Sequence, residues 1–154
     1  YTTLFRSIGE RLMASGMRNY TRIRRIARKW LETVEIDVRR MDDPPSTFSG
    51  GMQQRLQIAV NLVTDPRIIL MDEPTSGLDV SVQARLMDVL RKLVSRFNLS
   101  MVLVTHDLAV ARMLSHRLYV MKNGRIVESG LSDQILDDPR EPYTQLLVSS
   151  ILKP

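Results

Sequence analysis

Two adjacent carboxylates, Asp72 and Glu73, follow an uninterrupted apolar run from Ile68 to Met71, and Pro74 and Gly77 come directly after them. Such a run reads as a central strand of a parallel sheet, covered on both faces, and the proline and glycine end it. In open parallel sheets ligands sit beyond the carboxyl ends of strands, so acids emerging there are placed for chemistry. Asp72 suits Mg²⁺, a hard cation that takes oxygen ligands and keeps several waters, and Glu73 suits accepting a proton from an attacking water. The pair also fits the plainer role of ending a strand and starting a turn. The carboxylates alone leave both readings open.

Two further stretches carry chemistry. Phe48-Ser49-Gly50-Gly51-Met52-Gln53-Gln54-Arg55 opens a helix running to about Val63, with Ser49 as its expected N-cap. Paired glycines let a phosphate approach the backbone, and the free N–H groups of a helix start favour an anion. In isolation the octet is better read as a serine N-cap with flexible glycines, and its position just before the acidic strand changes that. Thr105-His106-Asp107 follows a second apolar strand, Met101 to Val104. His106 could touch a terminal phosphate, or be structural, and Asp107 can cap a helix from Leu108 to Leu114.

The intervening helix carries Val82, Leu86, Val89, Leu90, Leu93, Val94 and Phe97 on its apolar face and is ended by Asn98. It makes a right-handed crossover between the two strands, so Asp72, Glu73 and His106 are expected to converge at one sheet edge.

Composition bounds the rest. The chain has 154 residues, 44% hydrophobic and 25% charged, enough for one α/β domain or part of one. It contains no cysteine, which excludes a disulfide framework, a thiolate metal site and a cysteine nucleophile and fits a reducing cytoplasm. No apolar run approaches membrane-spanning length, and no signal peptide is visible. The formal charge of +5 favours acidic partners without choosing among them. From Tyr20 to Val34, Ile23, Ile26, Ala27, Trp30, Leu31 and Val34 mark an amphipathic helix. Its other face presents Arg22, Arg25, Arg28 and Lys29, which read as a solvated face or a protein contact, since no interleaved aromatics offer base stacking. Asn123-Gly124 marks a hairpin between Arg117 to Met121 and Arg125 to Glu128. His116 precedes the hairpin, with no function expected of it. A short helix from Ser132 to Leu136 and an amphipathic tail follow.

In this order the motifs resemble those of the ATP-binding cassette ATPases. Ser49-Gly50-Gly51 is similar to the core of that family's signature, Ile68 to Glu73 to its Walker B strand, Ser76 to Asp79 to its D-loop, and His106 to its switch histidine. Met52 stands where the family usually has glutamine, as it does in many peptide-importer relatives. The resemblance implies a partial P-loop ATPase domain of α/β class. Its helical signature subdomain precedes a parallel-sheet core that ends in an antiparallel hairpin and C-terminal helices. It further implies ATP and Mg²⁺ as cofactors, with ATP held between two subunits of a dimer, self or sibling. Asp72 would hold the metal mainly through water, Glu73 would polarise the attacking water and His106 would contact the γ-phosphate. Ser49, Gly50 and Gly51 would contact the partner's nucleotide, and Asp79 would couple the two sites.

Within the family, the Gly9 to Met13 segment, the Phe48 to Ala59 stretch, the Val127 to Leu131 stretch and the Pro142 to Ser150 tail resemble the ATP-binding subunits of phosphonate carbon-phosphorus lyase systems. That implies docking on a cytoplasmic lyase core complex. The alternatives are a dipeptide or oligopeptide importer subunit, which would pair with permease subunits at the inner membrane, and a non-catalytic truncated cassette module. The stop at Pro154 favours the lyase subunit, and no direct nucleic-acid binding is expected. No G-x-x-x-x-G-K-[ST] loop, glutamine loop or adenine-stacking aromatic occurs, so the chain is expected to be a fragment without ATPase activity of its own. Residues 1–7 resemble a translated sequencing-library adapter and are expected to be foreign to the gene. Residues 8–63 then form the helical subdomain, and residues 64–154 the Walker B, D-loop and switch-histidine half with the tail.

Overall fold

The computed structural model describes residues 3–151, which fall into two compact units divided between Val102 and Leu103. In the first unit four helices, α1 (Leu4–Ala14), α2 (Tyr20–Thr33), α3 (Gly50–Leu62) and α4 (Val80–Phe97), accompany the strand β1 (Ile68–Asp72). The strand β2 (Ser100–Val104) pairs with β1 and runs across the boundary between the units. Apolar residues three and four apart put one face of each helix into a common core. Leu4, Ile8 and Leu12 of α1, Ile23, Ala27 and Leu31 of α2, and Leu86, Leu90 and Leu93 of α4 are all buried. Trp30 stacks on Phe97 with ring centroids 5.1 Å apart, joining the end of α2 to the end of α4.

Within residues 1–7, which the sequence reading set aside, Leu4 and Phe5 belong to the core. Thr3 caps α1 by accepting from the Arg6 N–H, and Leu4 and Phe5 are buried, the Phe5 ring meeting Tyr20 edge-on at 5.2 Å. The first two residues lie outside the described part.

The strand β1 also departs from expectation. It is not covered on both faces: Ile69 is 8% exposed, but Ile68 is 55% and Leu70 is 73% exposed. The physical reason is that its sheet has two strands, β1 and β2, and alternate side chains point to opposite faces, only one of which the helices cover.

The chain leaves α2 through a left-handed residue, Glu35, at φ 57°. Its N–H bonds the Glu32 carbonyl, and the Ile36 N–H reaches back to the Leu31 carbonyl at 2.8 Å, the helix-ending pattern that glycine fills most easily. A side chain there costs about 1–2 kcal/mol.

In the second unit α5 (Leu108–Leu114) is capped by Asp107, whose carboxylate accepts from the Ala109 and Val110 N–H groups. The strands β3 (Arg117–Lys122) and β4 (Arg125–Leu131) pair antiparallel, with Arg117 opposite Leu131 and Lys122 opposite Arg125. Asn123 and Gly124 both take positive φ, as a two-residue hairpin turn requires. Glu128 on β4 accepts from the Arg140 and Glu141 N–H groups, tying down the segment between α6 (Ser132–Asp137) and α7 (Pro142–Ile151). Among the described residues no helix is long and apolar enough to cross a membrane.

The contrast between core and sheet face gives a direct check. Leu31→Ala should lower unfolding free energy by about 2–5 kcal/mol, whereas Leu70→Thr should change it by less than about 0.5 kcal/mol and reduce binding of an apolar dye. Urea denaturation and dye fluorescence measure the two effects.

Candidate functional site: a helix start locked to a turn

The glycine-rich octet forms the entry to α3. Ser49 holds the N-cap position with an extended backbone, but its hydroxyl caps nothing. The sequence expectation of a serine cap is therefore corrected. The first intrahelical bond runs from the Gln53 N–H to the Ser49 carbonyl at 2.9 Å, and the Gln53 side-chain amide donates to the Phe48 carbonyl at 3.0 Å. Gly50, Gly51 and Met52 thus place three N–H groups ahead of that bond, beside a hydroxyl not engaged in capping. Such a helix start suits an anion.

Arginines hold this turn from two sides. The Arg40 guanidinium lies 3.8 Å from the centroid of the Phe48 ring and donates to the Thr47 hydroxyl. The Arg55 side chain is buried beneath the turn, and its Nε donates to the Gly51 carbonyl at 3.4 Å. Burial pulls the Arg55 guanidinium below its ordinary value, with Arg85 adding to the effect and Glu35 opposing it.

Packing demands glycine at residue 51 and tolerates a side chain at residue 50. A Cβ on Gly51 would stand 2.1 Å from the Val82 Cγ1, and one on Gly50 would stand 3.4 Å from the Leu78 Cδ2. The start of α3 therefore rests directly on the start of α4. Asp79 begins α4, its Oδ1 accepting from the Ser81 hydroxyl at 2.6 Å and from the Ser81 and Val82 N–H groups. Those bonds, the Ser81 hydroxyl first, hold its carboxyl below the usual carboxylate range. The Ser49-Gly50-Gly51 turn and Asp79 are thereby brought together.

Asp72 ends β1 as an exposed side chain, and Glu73 follows at φ 46°. The Ser76 N–H closes a turn on the Glu73 carbonyl, Thr75 is buried, and Gly77 turns the chain at φ 73°. A left-handed glutamate between a strand end and a tight turn is a strained placement of the kind concentrated at functional positions. His106 lies exposed in the second unit, in the loop between β2 and α5, and Asp107 beside it donates its N–H to the Thr105 hydroxyl. His116 lends its carbonyl to the Ser132 N–H, a structural contact. Among the described residues no three His, Asp or Glu side chains gather as a metal cage. Asp72 alone fits Mg²⁺ only in the manner usual for that ion, one carboxylate with waters and ligand phosphates supplying the remaining oxygens.

The chain is 68% identical over 147 residues, 96% of its length, to PhnK, an ATP-binding protein of Escherichia coli (strain K12) named for phosphonates utilization. The sequence profile of the family described as "ABC transporter" matches residues 3–76. The chain belongs to the ATP-binding cassette ATPase family. It is 42% identical, over 79% of its length, to the oligopeptide transport ATP-binding protein OppD of Bacillus subtilis (strain 168). Its fold matches the cassette MJ0796, solved as a dimer in a post-hydrolysis state with ADP and Pi, at a TM-score of 0.73 and 32% identity over 84% of this chain. The chain spans 58% of the length of PhnK, 34% of OppD and 56% of the MJ0796 chain.

Arg40 and Arg55, which contact the turn of this cassette, and Glu35, which meets Arg55, are not marked as site residues in sequence. Arg40 and Arg55 look like ordinary surface cations in a chain with 22 basic residues. Glu35 gives one usable signal, since it closely follows the last apolar position of α2, where a helix must stop.

Two outcomes test the geometry. Gly51→Ala should destabilise by about 1–3 kcal/mol through overpacking, and adding Val82→Ala should restore most of it; urea midpoints measure both. Glu35 has its carboxyl lowered, by the Arg85 hydrogen bond first and then by Lys92. A lowered folded value means the stabilisation is complete above the ordinary glutamate range near 4.5 and is lost as pH falls through the folded value. Glu35→Gln should therefore weaken the protein at pH 7, and the difference from the unsubstituted protein should shrink as pH falls below the ordinary glutamate range, read from urea midpoints across an acid pH series.

Proposed function

We propose that these residues form the signature and Walker B side of the ATP site of a cassette ATPase serving phosphonate utilisation. The observation that carries the reading is the Ser49-Gly50-Gly51 helix start, with three forward N–H groups and an uncapping hydroxyl, packed against the turn that ends in Asp79. In a head-to-tail dimer this turn would receive the phosphates of a nucleotide bound by the other subunit. Glu73 follows the end of β1 and would accept the proton of the attacking water, the role general bases fill at strand ends. His106 would hold the γ-phosphate, and Asp79 would pass the state of one site to the other. Bound Mg²⁺ would neutralise phosphate charge, and Asp72 is the side chain that would hold it through water.

Identity of 68% to PhnK against 42% to OppD favours phosphonate utilisation over peptide import. The partner would accordingly be a lyase core complex, with permease subunits the partner under the import reading. Co-purification with one or the other from cells expressing both distinguishes them.

The phosphate-gripping loop is absent from the 154 residues, so positioning, the main source of phosphoryl-transfer catalysis, is incomplete. The chain by itself should show no ATP turnover above buffer in a phosphate-release assay. In a full-length protein that contains both these residues and a P-loop, Glu73→Gln should lower turnover by about 100-fold or more while leaving nucleotide affinity within about threefold. Glu73-dependent turnover by the 154 residues alone, or full turnover by the Gln variant, would refute the reading.

A further inference from the structure

Glu35 occupies the left-handed position that ends α2, and its carboxylate collects cations from two other helices. From α4, Arg85 Nε donates to its Oε2 at 3.0 Å and Lys92 Nζ donates to its Oε1 at 3.2 Å. From α3, Arg55 Nη1 stands 3.9 Å from Oε2 and donates to the carbonyls of Val34, at 3.2 Å, and Glu35, at 2.8 Å. The same guanidinium reaches forward through Nε to the Gly51 carbonyl. A polar path thus runs from α4 through Glu35 and Arg55 to the glycine turn. A second, apolar path joins the same two places where Val82 meets Gly51.

The arrangement is more than a helix stop needs. Glycine would end α2 without strain, and a stop has no use for three cations drawn from α3 and α4. We propose that Glu35 and Arg55 are positioning residues that hold the Ser49-Gly50-Gly51 turn in fixed register with the N-terminal half of α4, and so with Asp79. The inference rests on the reading of that turn as a contact for ATP held by a second subunit. Its N–H groups then meet the phosphates already oriented, with no reorganisation on dimer closure.

The test uses the full-length protein in a Glu73→Gln background, which slows turnover, and measures MgATP-driven self-association by sedimentation. Glu35→Gln and Arg85→Ala should each weaken association about threefold to tenfold. The double variant should be no weaker than the worse single one, because both cut one path, and Arg85→Lys should restore association. Arg85 is mostly exposed, so its loss leaves the core packed. MgATP binding to dilute monomer should be unchanged in every variant. Unaltered association in Glu35→Gln and Arg85→Ala, additive effects in the double variant, or an equal loss of monomer binding would overturn the proposal. If the parent with Glu73→Gln alone does not associate on adding MgATP, the ATP-site reading itself fails.

Discussion

The contact between Gly51 and Val82 is the constraint on which the rest of the first unit depends. A side chain at residue 51 would stand 2.1 Å from the Val82 Cγ1, so the starts of α3 and α4 approach this closely only because glycine stands there. That approach decides what lies beside the helix start. Leu78 and Val82 come from the segment that carries Asp79, so the turn after β1 and the turn before α3 share one small volume. Closing that gap with a methyl would separate two pieces of chemistry as well as two helices.

Polar contacts work around this apolar one. Asp79 uses its carboxylate to start α4, Gln53 folds back on Phe48, and Arg55 spans from the end of α2 to Gly51. The Ser49 hydroxyl is spared from capping, which is the usual fate of a serine at that position. A helix start with its donors forward and its serine uncommitted has lower intrinsic stability than a capped one, and the packing beneath it offsets that loss.

The strand β1 marks the other limit of the structure. Ile68 and Leu70 face outward from a two-stranded sheet, an apolar surface that a lone strand pair has no means of covering. The second unit is built on different terms. Its hairpin is set by the Asn123-Gly124 turn, and Glu128 fastens the following segment through backbone N–H groups, local contacts that ask little of the rest of the chain.

Much of this was legible in sequence because it is written in short-range patterns. The 3.6-residue apolar period located α2 and α4, Asn98 and Asp107 ended and began their helices, and Asn123-Gly124 fixed the hairpin. Asp72, Glu73, the paired glycines and His106 stand out in sequence as candidates because the chemistry proposed for them depends on residue type and spacing along the chain. Tertiary structure alone decided that Leu4 and Phe5 belong to the core, that β1 is open on one face, and that Ser49 leaves its helix uncapped. It alone found Glu35 and Arg55, separated by 20 positions in sequence and joined in space. The physical reason is that capping, burial and ion pairing depend on which distant groups arrive at a site, and no local pattern of side chains records that arrival.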